Sequence, residues 1–176
     1  MKAIETARLK IRRIVPSDVD AMFAVYGDAE SMRYVGDGQP LTFERCEQWV
    51  RVTEKNYAVR GYGMFALEDR SSGQVVGFAG LVHPGGQEEA EIKYALERPF
   101  FGRGYATEAA VALLGYGRSV APGARIIATA FPENLASHRV LEKAGMTRAE
   151  TRANDDGTTT LVFALEISGE PRDPAE

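Results

Sequence analysis

The segment with the clearest chemical character is Phe100–Ala109, which reads FFGRGYATEA. Its glycines, Gly102 and Gly104, lie between a predicted strand and a predicted helix. A glycine turn at this place exposes backbone N–H groups at the N-terminus of the helix, where the helix dipole also favours an anion. The segment therefore predicts a binding site for the phosphate groups of a cofactor.

Two common nucleotide-binding motifs do not match this turn. A Rossmann fingerprint needs a third glycine three residues after the second, and Thr107 stands there, in mid-chain. A Walker A loop needs Gly-Lys-Ser/Thr, which does not occur in the sequence. Two interpretations remain: a short diphosphate-binding loop to which Arg103 adds charge, or a tight turn that binds nothing.

A second segment, Pro132–Met146, reads PENLASHRVLEKAGM and carries polar groups at helical spacing. Asn134 follows a predicted strand, and Ser137 comes one helical turn later. Residues three apart share a helix face, so both side chains can point beyond the end of that strand. The alternative is that Asn134 is only an N-cap and Ser137 only fills the first turn.

The spacing of apolar residues predicts the helices and strands that position these two segments. The pattern predicts four helices, over 17–26, 42–58, 105–119 and 134–144, with Thr42 as an N-cap and Gly145 just past the last helix. It predicts seven strands, over 8–14, 62–68, 75–82, 90–96, 125–131, 146–152 and 159–167.

The element order β-α-α-β-β-β-α-β-α-β-β indicates an α/β (α+β) fold, a mixed sheet of about seven strands flanked by helices. We expect one domain over residues 1–167 and a polar, disordered tail over 168–176. The strand at 159–167 is expected at an exposed edge of the sheet, which is compatible with either a monomer or a homodimer.

Composition excludes several classes of protein. The net charge of −4 and the scattered basic residues argue against nucleic-acid binding. No stretch is apolar enough to span a membrane, and the N-terminal residues lack a signal-peptide pattern. One cysteine, Cys46, and two histidines give no zinc-binding pattern, so no metal is expected. We expect a cytoplasmic protein.

Together the two segments resemble the acetyl-CoA-binding signature of the GNAT superfamily of N-acetyltransferases. FFGRGYATEA is followed about thirty residues later by NLASHRVLEKAGM, which is the family's order. The opening ETARLKIRRIVPSDVDAMF and the stretch AEIKYALERPFFGRGYATEA are similar to the ribosomal-protein-alanine (Rim-type) branch. The resemblance covers residues 5 to about 166.

The resemblance implies a strongly bent sheet in which two adjacent parallel strands, 90–96 and 125–131, part to admit the pantetheine arm of acetyl-CoA. Asn134 would contact that arm, and Arg139 would lie near the adenosine end. The cofactor would also bind the backbone of a set of residues along the first strand and the glycine turn: Ala95, Leu96, Phe101, Gly102, Arg103, Gly104, Tyr105, Ala106 and Thr107.

The resemblance also implies direct acetyl transfer to a primary amine, either a protein N-terminus or a small molecule. Ser137 would donate a hydrogen bond to the leaving sulfur. Glu91 is the candidate base that takes the amine proton through water, unless it is a solvated strand charge or forms an ion pair with the neighbours of Lys93. His83 is a candidate substrate contact. A sensor of acetyl-CoA without turnover and a paralogue without ligand are the alternatives.

Overall fold

The computed structural model describes residues 3–154 and 157–165, which form one sheet with helices packed on both faces. The strands are β1 (Ile4–Glu5), β2 (Leu9–Arg13), β3 (Met64–Asp69), β4 (Val75–Val82), β5 (Ala90–Leu96), β6 (Ile126–Ala130), β7 (Thr147–Ala153) and β8 (Thr159–Leu165). The helices are α1 (Val19–Tyr26), α2 (Ala29–Met32), α3 (Phe43–Arg60), α4 (Tyr105–Val120) and α5 (Leu135–Lys143).

The eight strands follow the order β1-β2-β3-β4-β5-β6-β8-β7. Neighbours run antiparallel except β5 and β6, which are the parallel pair among the described residues. The predicted mixed sheet is confirmed. The sequence pattern missed β1 and α2 because two residues and a single helical turn are too short to show a period.

The prediction that strand 159–167 forms a sheet edge was wrong. β8 lies between β6 and β7, and its last five residues are buried, whereas β7 forms the edge and is largely exposed. The composition of the two strands explains their positions, because Leu161–Leu165 is apolar and 147–153 is polar. Residues 166–167 of the predicted strand and the predicted tail 168–176 lie outside the described residues.

Local signals at the helix ends are confirmed. The Thr42 side chain accepts a hydrogen bond from the backbone N–H of Arg45 at 3.3 Å and caps α3. Gly145 follows α5 with φ of 89°, a left-handed conformation that glycine adopts without a steric cost. These residues fix where the helices begin and end on the sheet.

The main core lies between α4 and the sheet. Ala109, Ala110 and Leu113 are fully buried there. The helix lies close to the sheet because its residues are small: a Cβ on Gly117 would stand 2.6 Å from Ile126 Cδ1 and 2.8 Å from Leu81 Cδ1. A second core, on the face of the sheet that carries α1 and α3, completes the two-sided packing. The sheet is thus held rigidly from both sides.

Candidate active site

The central feature of the site is a gap between two parallel strands. β5 and β6 pair only at Ala90–Ile126 and Glu91–Ile127. Beyond these pairs, β5 continues along β4 as far as Leu96 and β6 continues along β8 as far as Ala130. The facing edges of the two strands therefore part toward their C-terminal ends, as the resemblance implied. An unpaired strand edge offers backbone groups to an extended ligand.

The glycine turn lies directly after β5. A 3₁₀ turn at Arg98–Phe100 leads into Gly102 and Gly104, whose φ values are 72° and 82°. Gly104 is the N-cap of α4, and within residues 3–154 and 157–165 no side chain caps that end of the helix. The first N–H groups of α4 are therefore open to an anion, in line with the sequence prediction.

A groove opens beside this turn with a volume of about 460 Å³, within the size range of small-ligand sites. Its walls come from the N-terminus of the chain, from α4 and from the end of α5. The lining residues are Thr6, Gly104, Thr107, Glu108, Val111, Ala112 and Lys143.

Tyr105, the first residue of α4, is fixed by a carboxylate on β3. Its hydroxyl donates to Asp69 Oδ2 at 2.6 Å, and its ring is buried. Hydrogen bonds from Ser71, from Tyr105 and from Ser72 hold the pKa of Asp69 well below its ordinary value. The Tyr105 side chain therefore anchors the N-terminus of α4. This contact does not use the Tyr105 backbone N–H, which is the group predicted to bind the cofactor.

A contact that the sequence did not predict braces the turn from the other end of the chain. Arg8 Nη1 donates to the carbonyl of Arg103 at 2.7 Å, and Arg8 Nε lies 2.7 Å from Glu108 Oε2. Thr6 Oγ1 donates to Glu108 Oε1 at 2.6 Å. We call Thr6, Arg8 and Glu108 the N-terminal clamp. Its partners are about 100 residues apart, and no periodic pattern in one sequence pairs such distant residues.

Burial works to raise the pKa of Glu108, but the hydrogen bonds from Thr6 and Arg8 outweigh it and lower that pKa. Glu108 is therefore a carboxylate that serves the clamp. The Arg8 guanidinium also stacks 4.5 Å from the centre of the Tyr105 ring, so the clamp and the Asp69 anchor hold the same helix end.

Asn134 and Ser137 occupy the first turn of α5, which follows β6. Asn134 is the N-cap, and its Oδ1 accepts from the N–H of Ser137 at 3.1 Å. Asn134 therefore acts as an N-cap, as the alternative interpretation expected. The Ser137 hydroxyl lies 2.6 Å from the hydroxyl of Tyr94 on β5, a partner that the sequence did not predict.

Glu91 lies at the point where the strands part, and its residue is only 3% exposed. Its Oε1 atom accepts from Lys93 Nζ at 2.5 Å, from the N–H of Thr129 at 3.1 Å and from the Thr129 hydroxyl. Lys93 Nζ also donates to Thr129 Oγ1 at 2.9 Å. Of the alternatives for Glu91, the solvated strand charge is wrong, and the ion pair that is present is with Lys93 itself. Its role as a base stays a prediction.

The two remaining candidates are His83, which follows β4, and Arg139 on α5. His83 Nδ1 donates to the carbonyl of Gln87 at 2.9 Å, and its Nε2 lies 2.9 Å from the Tyr62 hydroxyl, so both ring nitrogens have partners. Its contact with substrate stays a prediction. Arg139 is exposed on α5, where a ligand outside the gap can reach it.

Two features that the described residues lack bear on the kind of site. Within residues 3–154 and 157–165, no cluster of three or more His, Cys, Asp or Glu side chains has a metal-binding arrangement. Over the same residues, no helix has both the length and the apolar character that a membrane span requires.

Comparison with known proteins places this geometry in a family. A family model described as the acetyltransferase (GNAT) domain matches residues 8–147. The chain belongs to this family. It is 33% identical to the uncharacterized N-acetyltransferase YnaD of Bacillus subtilis (strain 168) over 145 residues, which are 82% of each chain.

Solved structures agree with the GNAT fold. The acetyltransferase (GNAT family) from Bacillus anthracis aligns with a TM-score of 0.81 and 29% identity, over 95% of this chain and 99% of that one. RimL, a ribosomal alpha-N-protein acetyltransferase solved with coenzyme A, aligns with a TM-score of 0.78 over 94% of this chain and 97% of that one. Its 19% identity supports the shared fold alone. The expected fold and the expected enzyme class, an acetyl-CoA-dependent acyltransferase, are confirmed.

Proposed function

We propose that this GNAT enzyme transfers the acetyl group of acetyl-CoA directly to a primary amine, and that it belongs to the Rim-type branch. The observation that carries the proposal is the parting of β5 and β6 beside the uncapped N-terminus of α4. The gap suits an extended arm with amide groups, and the helix end suits a diphosphate. Acetyl-CoA has both.

The binding roles follow from these positions. Ala95 and Leu96 lie on the half of β5 that pairs with β4 but not with β6. The backbone of this half would hydrogen-bond the pantetheine amides on the side that faces β6. Asn134 would contact the same arm from α5, and the exposed Arg139 would meet the adenosine end. The diphosphate would rest on the backbone N–H groups of Phe101, Gly102, Arg103, Gly104, Tyr105, Ala106 and Thr107.

The chemistry divides between two groups of side chains at the gap. The amine nitrogen attacks the thioester carbon, the C–S bond breaks, and its electron pair leaves on sulfur. Glu91 takes the proton of the attacking amine through water, and Ser137 donates a hydrogen bond to the leaving sulfur. No covalent enzyme intermediate is needed, since Cys46 is buried in the second core.

The acceptor is a protein N-terminus or a small-molecule amine, and we propose that residues 27–60 and the loop 83–87 select it. Thiol release from acetyl-CoA, measured with a panel of both amine types, tests the function. Release that depends on an amine supports it. Stabilisation by acetyl-CoA without release would point to a sensor, and neither effect at millimolar acetyl-CoA would point to a paralogue without ligand. At a hundredfold excess over Kd, binding adds about 2.7 kcal/mol to stability.

Gly104→Val tests the position of the diphosphate site. We expect loss of acetyl-CoA binding, measured by calorimetry, because a branched side chain at φ of 82° strains the turn and its Cβ meets Arg8. Gly123→Val is the matched control, since Gly123 has φ of 80° but open space around it and lies past the far end of α4. Wild-type affinity in Gly104→Val would show that the diphosphate binds elsewhere.

We further propose that the enzyme works in the cytoplasm as a monomer or a homodimer. The composition and the single cysteine support the compartment. The exposed edge strand β7 is where a second copy would pair, in place of the strand that the sequence analysis selected. Light scattering of the purified full chain distinguishes the two states.

A further inference from the structure

The hydrogen bond between Tyr94 and Ser137 spans the gap between the parted strands. Tyr94 lies on the unpaired half of β5, and Ser137 lies on α5, the element that follows β6. Their hydroxyl oxygens are 2.6 Å apart, a short bond for two neutral groups. The Tyr94 ring is partly buried against the core under α4. Packing accounts for the ring, but it does not account for the hydroxyl, which phenylalanine would lack.

The direction of this bond follows from the acidity of the two hydroxyls. A phenol, with an ordinary pKa of about 10, is a better donor than the aliphatic alcohol of serine. Burial raises the pKa of Tyr94 to about 12, so its proton stays in place across the working pH range. The geometry allows either hydroxyl to donate, and the Ser137 carbonyl at 3.4 Å is a second acceptor for the Tyr94 hydroxyl. The difference in acidity favours Tyr94 as the donor and Ser137 Oγ as the acceptor. The N–H of Ser137 is held by Asn134, and its hydroxyl proton is left for a third partner.

We propose that Tyr94 is a positioning residue that orients the Ser137 hydroxyl, so that the free proton of Ser137 points toward the thioester sulfur of acetyl-CoA. This inference rests on the proposed function and deepens it. Donation from Tyr94 also polarises the Ser137 O–H bond, because hydrogen bonds in a chain strengthen one another.

The pair supplies a hydrogen bond and does not transfer a proton. The leaving thiol is more acidic than the Tyr94 phenol, whose pKa burial raises to about 12. When the C–S bond breaks, the electron pair stays on sulfur as a thiolate, and the protons of Tyr94 and Ser137 remain on their oxygens. The leaving group is stabilised by an oriented neutral donor.

The test is a titration of bound CoA that does not depend on turnover. Ultraviolet difference absorption follows thiolate formation in CoA bound to the full chain, with desulfo-CoA as the reference. We expect the bound wild-type thiol to ionise at a lower pKa than the thiol of free CoA titrated in the same way. Ser137→Ala and Tyr94→Phe should each raise that value by about one pH unit, as expected for loss of a hydrogen bond to a charge.

The double variant Tyr94→Phe/Ser137→Ala decides whether Tyr94 acts through Ser137. We expect it to equal Ser137→Ala alone, because a positioning residue has no effect once its target is gone. Tyr116→Phe is the control, since it also removes one tyrosine absorbance but lies on α4 against Phe65. Additive effects in the double variant, or an unmoved thiol in Tyr94→Phe with normal CoA binding, would overturn this inference alone. Failure of the wild-type chain to bind CoA would instead overturn the proposed function.

Discussion

The two faces of β5 carry opposite kinds of chemistry. On one face, the buried Glu91 and the partly exposed Lys93 form an ion pair that reaches β6 through Thr129. On the other, the neutral hydroxyls of Tyr94 and Ser137 form a bond that reaches α5. Because side chains alternate along a strand, a single segment presents both groups to the same gap.

The difference matches the two demands of acyl transfer. Removal of a proton from an amine needs a base, a role for which the carboxylate of Glu91 is the candidate, whereas a leaving thiolate needs a hydrogen-bond donor without negative charge, a role for which the hydroxyl of Ser137 is the candidate. A second negative charge beside the sulfur would oppose its departure. The comparison therefore predicts that variants on the two faces differ in how much they lower kcat and in how that loss depends on pH.

The largest effect is expected for Glu91→Gln. Loss of a general base lowers kcat by about 10²–10⁴, with little change in acetyl-CoA affinity. The deficit should shrink as pH rises, because a larger share of the amine is then already neutral. Glu89→Gln, an acid one residue before β5 that pairs with Arg125, is the control in the same assay. A Glu91→Gln enzyme with wild-type turnover would assign the base to another group or to water.

Ser137→Ala is expected to lower kcat by about 10²–10³, as for loss of a donor to a developing anion, with the KM for acetyl-CoA unchanged. This deficit should stay constant with pH, unlike that of Glu91→Gln. Steady-state kinetics at several pH values measure both features. Ser119→Ala, which removes a hydroxyl at the far end of α4, is the matched control. Unchanged turnover would remove Ser137 from the mechanism.

The N-terminal clamp should affect binding and not chemistry. Arg8→Ala removes the bond to the Arg103 carbonyl and loosens the turn, so we expect Kd for acetyl-CoA to rise about tenfold with kcat at saturation unchanged. Arg8→Lys should rescue little, since lysine lacks the planar fork. Arg148→Ala on the exposed strand β7 is the control. A fall in kcat without a change in Kd would contradict this division.

The smallest effect concerns the anchor of α4. The pKa of Asp69 lies below its unfolded value of 3.8, so its hydrogen bonds stabilise the fold fully above that pH, and the stabilisation is lost as pH falls below it. Thermal unfolding between pH 5 and pH 3 should show a steeper acid decline of Tm for wild type than for Asp69→Asn. Equal declines would mean that Asp69 does not contribute to acid sensitivity.

Local features of the site could be predicted from the sequence. Gly102 and Gly104 produce the turn because positive φ and an uncapped helix end are properties of a few adjacent residues. Thr42 and Gly145 mark helix ends for the same reason. The two parted strands came from the family resemblance, since apolar periodicity does not say which strands are neighbours.

Features that join distant residues could not be predicted in this way. The pairing of Arg8 with Glu108 and of Tyr94 with Ser137 depends on which elements the fold brings together. The positions of β7 and β8 also depend on the fold, although the apolar run Leu161–Leu165 carried a usable signal for an inner strand. The prediction of an edge for strand 159–167 was wrong because the last strand of a sequence need not be the last strand of a sheet.

The central claim is that the gap between β5 and β6 and the turn 101–106 hold acetyl-CoA. A crystal structure of the chain grown with CoA tests it most directly. The account predicts the pantetheine arm between the unpaired halves of β5 and β6, and the diphosphate within hydrogen-bond distance of the backbone N–H groups of 101–106. A structure in which CoA binds elsewhere, away from the gap and from α4, would contradict this placement.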